Sequence, residues 1–349
     1  MLAAYVARTG GEDPLANLEV GQRPQPEPAP GWALVRVHAA SLNHHDLFTL
    51  RGISSRKVEP PQILGCDVAG TVAGYGPDRP GGAPEEGTRV VAHSVIGCGA
   101  CATCAHSDPL FCRDMSMLSE GDLQGTLAEY VPVPAANLIA LPDSVDFVAA
   151  ATLPTAYLTA YRMLFTRAAL HPGDTVLVHG ATGGVATATI LLGRTAGLSV
   201  YSTSRDEAKR AEALRLGATA ALGTDREASK ELARMTGGRG VDAVIETVGE
   251  PTWEFSLRAV RIDGTIVVAG ATAGGDPPAG LRRIFWRHTR ILGSTMGTRA
   301  ELEKLVAMAA SRTLQPLVGG VYPLDRAGEA FAALAAGERN GKLVVTPAA

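Results

Sequence analysis

The chain has 349 residues, of which 46% are hydrophobic and 19% charged, and its net charge is -3. That length exceeds one ordinary core and favours two domains, and the composition excludes a disordered chain. The near-neutral charge and the scattered arginines give no nucleic-acid or membrane signature, and no run reaches the ~18 apolar residues of a membrane span. The N-terminus lacks the basic-then-apolar order of a signal peptide, so the expected location is the cytoplasm.

Residues 1 to 153 read as β-rich. Residues 33–39 (ALVRVHA) alternate apolar and polar, as a half-buried strand does. Residues 41–52 (SLNHHDLFTLRG) pack Asn43, His44, His45 and Asp46 beside Leu42 and Leu47. Two readings stay open there: the wall of a cleft, or a helix N-terminus capped by Asn43 or Ser41 with both histidines in solvent. Residues 64–70 (LGCDVAG) set Cys66 and Asp67 at a strand start, and 67–74 and 89–92 read as strands.

Cys98, Cys101, Cys104 and Cys112 follow the spacing C-x-x-C-x-x-C-x7-C. Four thiolates so close in sequence fit a closed tetrahedral zinc site, and a cytosolic setting disfavours disulfides. An iron–sulfur cluster is the rival, but Arg113 follows the last cysteine where a proline would favour the cluster. Four protein ligands leave no open position. This zinc is expected to hold a lobe together and do no chemistry.

Residues 176–192 (VLVHGATGGVATATILL) run from an apolar strand through Gly180, Ala181, Thr182, Gly183 and Gly184 into a helical pattern that begins with Val185. Glycines let the chain turn sharply and let a pyrophosphate approach the main chain, and the helix N-terminus offers free N–H groups. Residues 198–203 form the next strand and end at Ser204, where an NAD-binding unit carries an acid for the ribose 2′-OH. Ser204, Arg205 and Lys209 suit a 2′-phosphate instead, so the expected cofactor is NADP(H). Asp206 and Glu207 read as first-turn residues of a helix over 206–216. Residues 242–247 and 265–270 fit further buried parallel strands.

Taken in order, SLNHHDLFTLRG, ILGCDVAGTVAGYG, the four cysteines, LPTAYLTAYRML, VHGATGGVATA, GRGVDAVIETVG, GTIVVAG and ILGSTMGTRAEL resemble the medium-chain dehydrogenase/reductase superfamily, the zinc alcohol dehydrogenase and quinone oxidoreductase group. The resemblance spans nearly the whole chain. It implies an α/β fold in which a Rossmann doubly wound parallel sheet is inserted into a β-rich GroES-like catalytic domain. The catalytic domain would be residues 1–153 with 293–349, and the NADP(H) domain 154–292. It also implies a small-molecule substrate, a homodimer or homotetramer, and no nucleic-acid or membrane partner.

The resemblance places the three ligands of a catalytic zinc at Asn43, Cys66 and near Thr155. Amide and hydroxyl are poor zinc ligands, so the catalytic metal is expected to be absent while the structural one is kept. That mixture resembles zinc-independent reductases of polarised C=C bonds or quinones. Asn43 and the Thr155 hydroxyl are then expected to donate to the substrate oxygen, and His45 to supply a proton. His44 falls on a basic contact to the pyrophosphate, Ser94 on the pocket lining, and Asp46 and Asp67 beside the lost metal. Thr182, Gly183 and Gly184 would cradle the pyrophosphate, with Ala186 replacing the last glycine. Thr159 would lie beside the nicotinamide, Thr247 to Gly249 and Gly270 to Thr272 along the ribose and carboxamide, and Lys342 on a phosphate. Two rivals remain: a zinc-dependent alcohol dehydrogenase with an atypical site, and a non-catalytic NADPH-binding sensor or scaffold.

Overall fold

The computed structural model describes residues 1–54, 56–106 and 109–348. It divides into two compact units, Met1–Leu158 with Gly297–Ala349, and Thr159–Met296. The divisions fall within five residues of the expected ones. The N-terminal one moves because residues 153–167 form one helical run, Leu153–Tyr157, Leu158–Tyr161 and Arg162–Arg167, that crosses it. Thr155 therefore belongs to the first unit.

In the first unit the alternating segment forms the strand Trp32–Ser41, with Ala33, Val35 and Val37 buried. It lies inside a seven-stranded sheet in the order Leu138–Ala140, Arg89–Ala92, Asp67–Tyr75, Trp32–Ser41, Lys342–Thr346, Val318–Pro323, with Tyr130–Pro134 also paired to Trp32–Ser41. The antiparallel register sets Ser41 opposite both Asp67 and Val344. Three stretches far apart in sequence thus meet at one end of Trp32–Ser41. A close approach is built in at Gly70, where a Cβ would lie 2.0 Å from the Arg36 carbonyl oxygen. The core behind the sheet includes Leu42, Leu64, Val68, Phe331 and Leu334. Burying side chains of this size contributes about 1.5–3 kcal/mol each.

The second unit is an all-parallel sheet in the order Ala220–Leu222, Ser199–Thr203, Thr175–His179, Val241–Glu246, Val260–Val268, Arg290–Gly293. Counted along the unit, this is 3-2-1-4-5-6, the doubly wound order that binds dinucleotides where strand order reverses. The middles of the central strands are apolar: Val176, Leu177, Val178, Ala243, Val244 and Ile245 are all fully buried. Asp206, expected in the first turn, stands one residue before the helix Glu207–Leu216 and caps it by accepting from Lys209 N at 3.2 Å. No helix among the described residues is long and apolar enough to cross a membrane.

Candidate active site, cofactor turn and metal centre

Asp67 is the hub of a buried polar cluster in the first unit. It is 0% exposed. Its Oδ2 accepts from Ser41 Oγ at 2.7 Å, Asn43 Nδ2 at 2.8 Å and Lys342 Nζ at 3.2 Å. Its Oδ1 accepts from Thr155 Oγ1 at 2.6 Å. Lys342, only 3% exposed, spends its other two N–H groups on the Leu42 carbonyl at 2.6 Å and on Asn43 Oδ1. A lysine is buried only when its charge and its donors are met, and here three donors meet three acceptors. This corrects the phosphate contact expected of Lys342, because no N–H is left over for a phosphate.

Thr155 is also corrected. Its single hydroxyl proton goes to Asp67, so its oxygen can accept but does not donate to a substrate. Cys66 Sγ lies 3.5 Å from Thr155 Oγ1 and its S–H supplies that bond. Burial, and then the Asp67 and Asp46 charges, push the Cys66 thiol well above the ordinary range. A thiol, an amide and a committed hydroxyl make a poor donor set for zinc. Asn43 keeps more freedom. One Nδ2 hydrogen serves Asp67, and among the described residues the other has the Ser41 carbonyl and Cys66 Sγ as acceptors, both at 3.5 Å.

The helix His44–Leu50 starts immediately after Asn43, which stands at its N-cap. Asp46 closes the N-terminus: its Oδ2 accepts from Asn43 N at 2.7 Å and its Oδ1 from Gly65 N at 2.9 Å. The Asn43 side chain itself turns to Asp67 and Lys342. His45 Nε2 is buried, 3.5 Å from Glu120 Oε1. His44 Nδ1 accepts from Arg339 at 3.3 Å. Desolvation and the charges of Arg339, Lys342 and Arg51 push the His44 imidazole down to about 4. His44 is therefore neutral near pH 7 and brings no positive charge to a pyrophosphate. Arg339, which sequence reasoning missed, carries the charge at that corner. Ser94 is fully buried and donates to the Cys66 carbonyl at 2.6 Å, so it supports the backbone where a pocket lining was expected.

The second unit carries the turn expected to hold a cofactor. Gly180 has φ +83°, a left-handed conformation that side chains disfavour. Gly183 caps the helix Gly184–Thr195 without a side-chain hydrogen bond, and a Cβ there would meet nothing within 4 Å. The first N–H groups of this helix, through Gly184 and Val185, have no intrahelical acceptor, and the space beside Gly183 is open, as an anion site requires. Ala186 packs 3.8 Å from where a Gly180 Cβ would lie, so alanine fits in place of the usual glycine. Thr182 is buried beside the turn, and Thr159 is buried in Leu158–Tyr161.

Ser204 is half-buried at the end of Ser199–Thr203, and Arg205 is exposed. Arg205 and Arg210 line a depression of about 450 Å³ together with Leu222, Gly223 and Thr224. Arg210 was missed by sequence reasoning; it donates to the Ser204 carbonyl at 2.9 Å and braces this corner, with Lys209 one residue before it. The loops at 247–249 and 270–272 meet: Thr272 N and Oγ1 both bond the Thr247 carbonyl at 3.2 Å, and a Cβ on Gly270 would lie 3.2 Å from it.

Beneath these turns runs a buried chain with no sequence signal beyond a histidine ending an apolar strand. His179 Nδ1 lies 2.9 Å from Thr203 Oγ1, and His179 Nε2 lies 2.8 Å from Ser256 Oγ. Ser256 donates to Glu246 Oε2 at 2.6 Å. Glu246 Oε1 accepts from Val248 N, Gly249 N and Thr252 Oγ1 at 2.9, 3.1 and 2.9 Å. The carboxylate accepts only, so Ser256 must accept from His179 Nε2–H, and Thr203 must donate to Nδ1.

The four cysteine sulfurs lie within 4.8 Å of one another. Cys98 and Cys104 are 4.0 Å apart, and Cys101 and Cys112 are 3.9 Å apart. Zinc–sulfur bonds of ~2.3 Å in a tetrahedron set sulfurs about 3.8 Å apart, so the residues fit the metal. Cys98 N and Cys104 N point at Cys112 and Cys101 sulfurs at 3.5 and 3.4 Å, as backbone donors to thiolates do. Gly97 is required, because a Cβ there would lie 2.7 Å from Cys104 Sγ. The antiparallel pair Val95–Ile96 and Ser116–Met117 closes the base of the lobe.

Known proteins bear on both units. A model of the alcohol dehydrogenase GroES-like domain matches residues 29–143, and a model of the zinc-binding dehydrogenase matches residues 184–311. A zinc-type alcohol dehydrogenase-like protein of Schizosaccharomyces pombe is 33% identical over 311 residues, covering 86% of this chain and 87% of that one. An acryloyl-coenzyme A reductase of Metallosphaera sedula is 28% identical over 334 residues, covering 94% and 96%. A solved NAD-dependent alcohol dehydrogenase superposes with a TM-score of 0.91 at 35% identity, with 99% of each chain covered. Both domain models, the long matches and the 3-2-1-4-5-6 sheet agree: the chain belongs to the medium-chain dehydrogenase/reductase superfamily of oxidoreductases.

Proposed function

We propose that this oxidoreductase uses NADPH to reduce an activated alkene, an enone or a quinone, with zinc confined to the cysteine lobe. The observation that carries the reading is Lys342: a protein cation occupies the polar cluster where a metal-dependent enzyme would gather ligands. NADPH supplies the hydride. The chain must then stabilise negative charge on the substrate's oxygen and return a proton, to the α-carbon of an alkene or to an oxygen of a quinone. Asn43 Nδ2, with its second hydrogen held only by contacts of 3.5 Å, suits the first task. A conjugated carbonyl asks little more than this, because its enolate needs only a hydrogen bond, whereas a simple ketone needs a strong acid beside a developing alkoxide. His45, held against Glu120, suits the second task. Ser204, Arg205 and the absence of an acid committed to a ribose favour NADPH over NADH.

The zinc of the lobe is structural in this reading, since four thiolates close its coordination. The preferred compartment is the cytoplasm, where five unpaired cysteines stay reduced. A homodimer, or a homotetramer built from it, accounts for an unpaired sheet edge at Arg290–Gly293. The strand and the helix before it expose Leu281, Phe285, Trp286 and Ile291 at 70%, 65%, 79% and 40%. A second copy would cover that edge.

Turnover of a panel of enones, quinones and simple ketones, run beside elemental analysis, tests the reading. NADPH oxidation with the conjugated substrates and one zinc per chain are expected. Two zincs per chain, one lost to mild chelation together with activity on alcohols, would favour the alcohol dehydrogenase instead. Binding of NADPH with no turnover of any substrate would favour a sensor.

A further inference from the structure

Lys342 opens the C-terminal strand Lys342–Thr346, about 300 residues from the groups it bonds. The strand brings it there by register: Leu42 N bonds the Leu343 carbonyl at 2.9 Å, so the residue before Leu343 lands against Leu42 and Asn43. A primary amide has two orientations of nearly equal shape, and only its partners decide between them. Lys342 offers donors alone, and Asp67 as a carboxylate offers acceptors alone. Asn43 between them is therefore forced to face Lys342 with Oδ1 and Asp67 with Nδ2.

We propose that Lys342 is a positioning residue for the reduction: it fixes the Asn43 amide with Oδ1 on the ammonium and one Nδ2 hydrogen on Asp67, keeping the other N–H for the substrate's oxygen. Without the ammonium, Oδ1 loses its partner and Asp67 alone holds the amide, by one N–H, so the amide is free to pivot about that bond. Its second N–H would then leave the substrate's oxygen for part of the time, where it is needed to meet the charge that hydride transfer creates. The inference rests on the role given to Asn43 above. It also separates two jobs for one lysine. A phosphate contact would act on cofactor affinity, whereas a positioning residue acts on the hydride step and acts through Asn43.

The test uses full-length Asn43→Ala, Lys342→Met and the double variant, with kcat on an enone and the Kd for NADPH measured for each. Each single variant is expected to lower kcat roughly tenfold or more, as loss of an oxygen-binding donor does. The NADPH Kd is expected to stay within about twofold, and the double variant to be no slower than the slower single one, since residues acting as a unit are not additive. Because Lys342→Met leaves Asp67 buried without a cation, the neutral pair Lys342→Met with Asp67→Asn is run beside it and is expected to show the same fall in kcat. A weakened NADPH Kd with kcat intact would overturn the proposal in favour of a phosphate contact. Multiplying losses in the double variant would overturn it too, as would a normal Lys342→Met beside a slow Asn43→Ala. A normal kcat in Asn43→Ala would overturn the reading of Asn43 itself, and the proposal with it.

Discussion

Asp67 and Glu246 are both 0% exposed, yet one carboxylate is met by a cation and the other by dipoles. Asp67 takes an ammonium, an amide and two hydroxyls. Glu246 takes two backbone N–H groups and two hydroxyls, with His179 one bond further out. Pairing two full charges in a dry interior makes each depend on the other, and removal of either strands its partner. Solvation by many dipoles spreads the same task over several modest bonds. The first arrangement suits a site that must stay rigid around one amide. The second suits a set of turns, because Glu246 holds the loop at Val248 and Gly249 while His179 and Thr203 lie just before Gly180 and Ser204.

The largest effect expected is therefore at the charge pair. Asp67→Ala should lower unfolding free energy by about 3–5 kcal/mol, because it leaves the Lys342 ammonium buried with only carbonyl-type acceptors. Denaturant titration checks it. A loss below ~1 kcal/mol would mean that Lys342 finds another partner or water at little cost, and the contrast with Glu246 would collapse.

How legible each arrangement was follows from chain distance. The cysteine lobe and the glycine turn lie within short windows, so their shape was legible from sequence: the four sulfurs gather within 4.8 Å of one another, and the turn joins a buried strand to a helix. Asp206, a first-turn acid by its place in the sequence, stands one residue earlier, as the cap. Lys342 gave no such sign. In sequence it is a basic residue after Asn340 and Gly341, and a surface or phosphate role is the natural reading. Its burial is decided by Asn43 and Asp67, 299 and 275 positions away, once three strands are paired. The fate of the Thr155 hydroxyl is hidden for the same reason, as its acceptor lies 88 positions back. His179 sits between these cases: Thr203 is 24 positions on, in the next strand, but Ser256 is 77 away on a later helix.

Arg205 asks whether the turns above the Glu246 network recognise the cofactor as proposed. A 2′-phosphate carries roughly two negative charges, and an arginine contact to it supplies about 1.5–3 kcal/mol. Arg205→Ala should weaken NADPH binding roughly ten- to hundredfold and leave NADH nearly unchanged. Paired titrations of both cofactors measure it. Equal weakening of both, or of neither, would reduce Arg205 to a surface residue. Because Arg205 bonds neither buried carboxylate, its loss should leave the denaturation midpoint where it was.

Ser256→Ala tests the dipolar side. It removes one donor from Glu246 and leaves His179 Nε2–H without an acceptor, at a cost of about 1–3 kcal/mol. That is smaller than the loss at Asp67, and Ser256→Thr, which keeps the hydroxyl, should recover most of it. If Ser256→Ala costs as much as Asp67→Ala, the two carboxylates are held with equal dependence, and spreading the bonds gives no protection.

The smallest effect separates the two through pH. Burial pushes the His179 imidazole below its ordinary range, and the nearby Glu246 charge, which pulls the other way, does not overcome it. His179 is thus neutral in the folded chain and takes a proton near pH 6.5 once unfolded. Below that pH the unfolded chain binds one more proton than the folded one, so folding stability falls as pH falls, until the folded-state value is reached. The slope cannot exceed about 1.4 kcal/mol per pH unit for one group. His38 and His44 are shifted in the same direction and add to the wild-type slope, so only a difference isolates His179. Denaturation at pH 7.5 and 5.5, wild type against His179→Gln, gives that difference. Glutamine can still donate to Ser256 and accept from Thr203 but takes no proton in this range, so it should flatten the acid slope without a large loss at pH 7.5. An unchanged slope would mean that the wild-type imidazole is already protonated beside Glu246. The second carboxylate would then be paired with a cation after all, as the first one is.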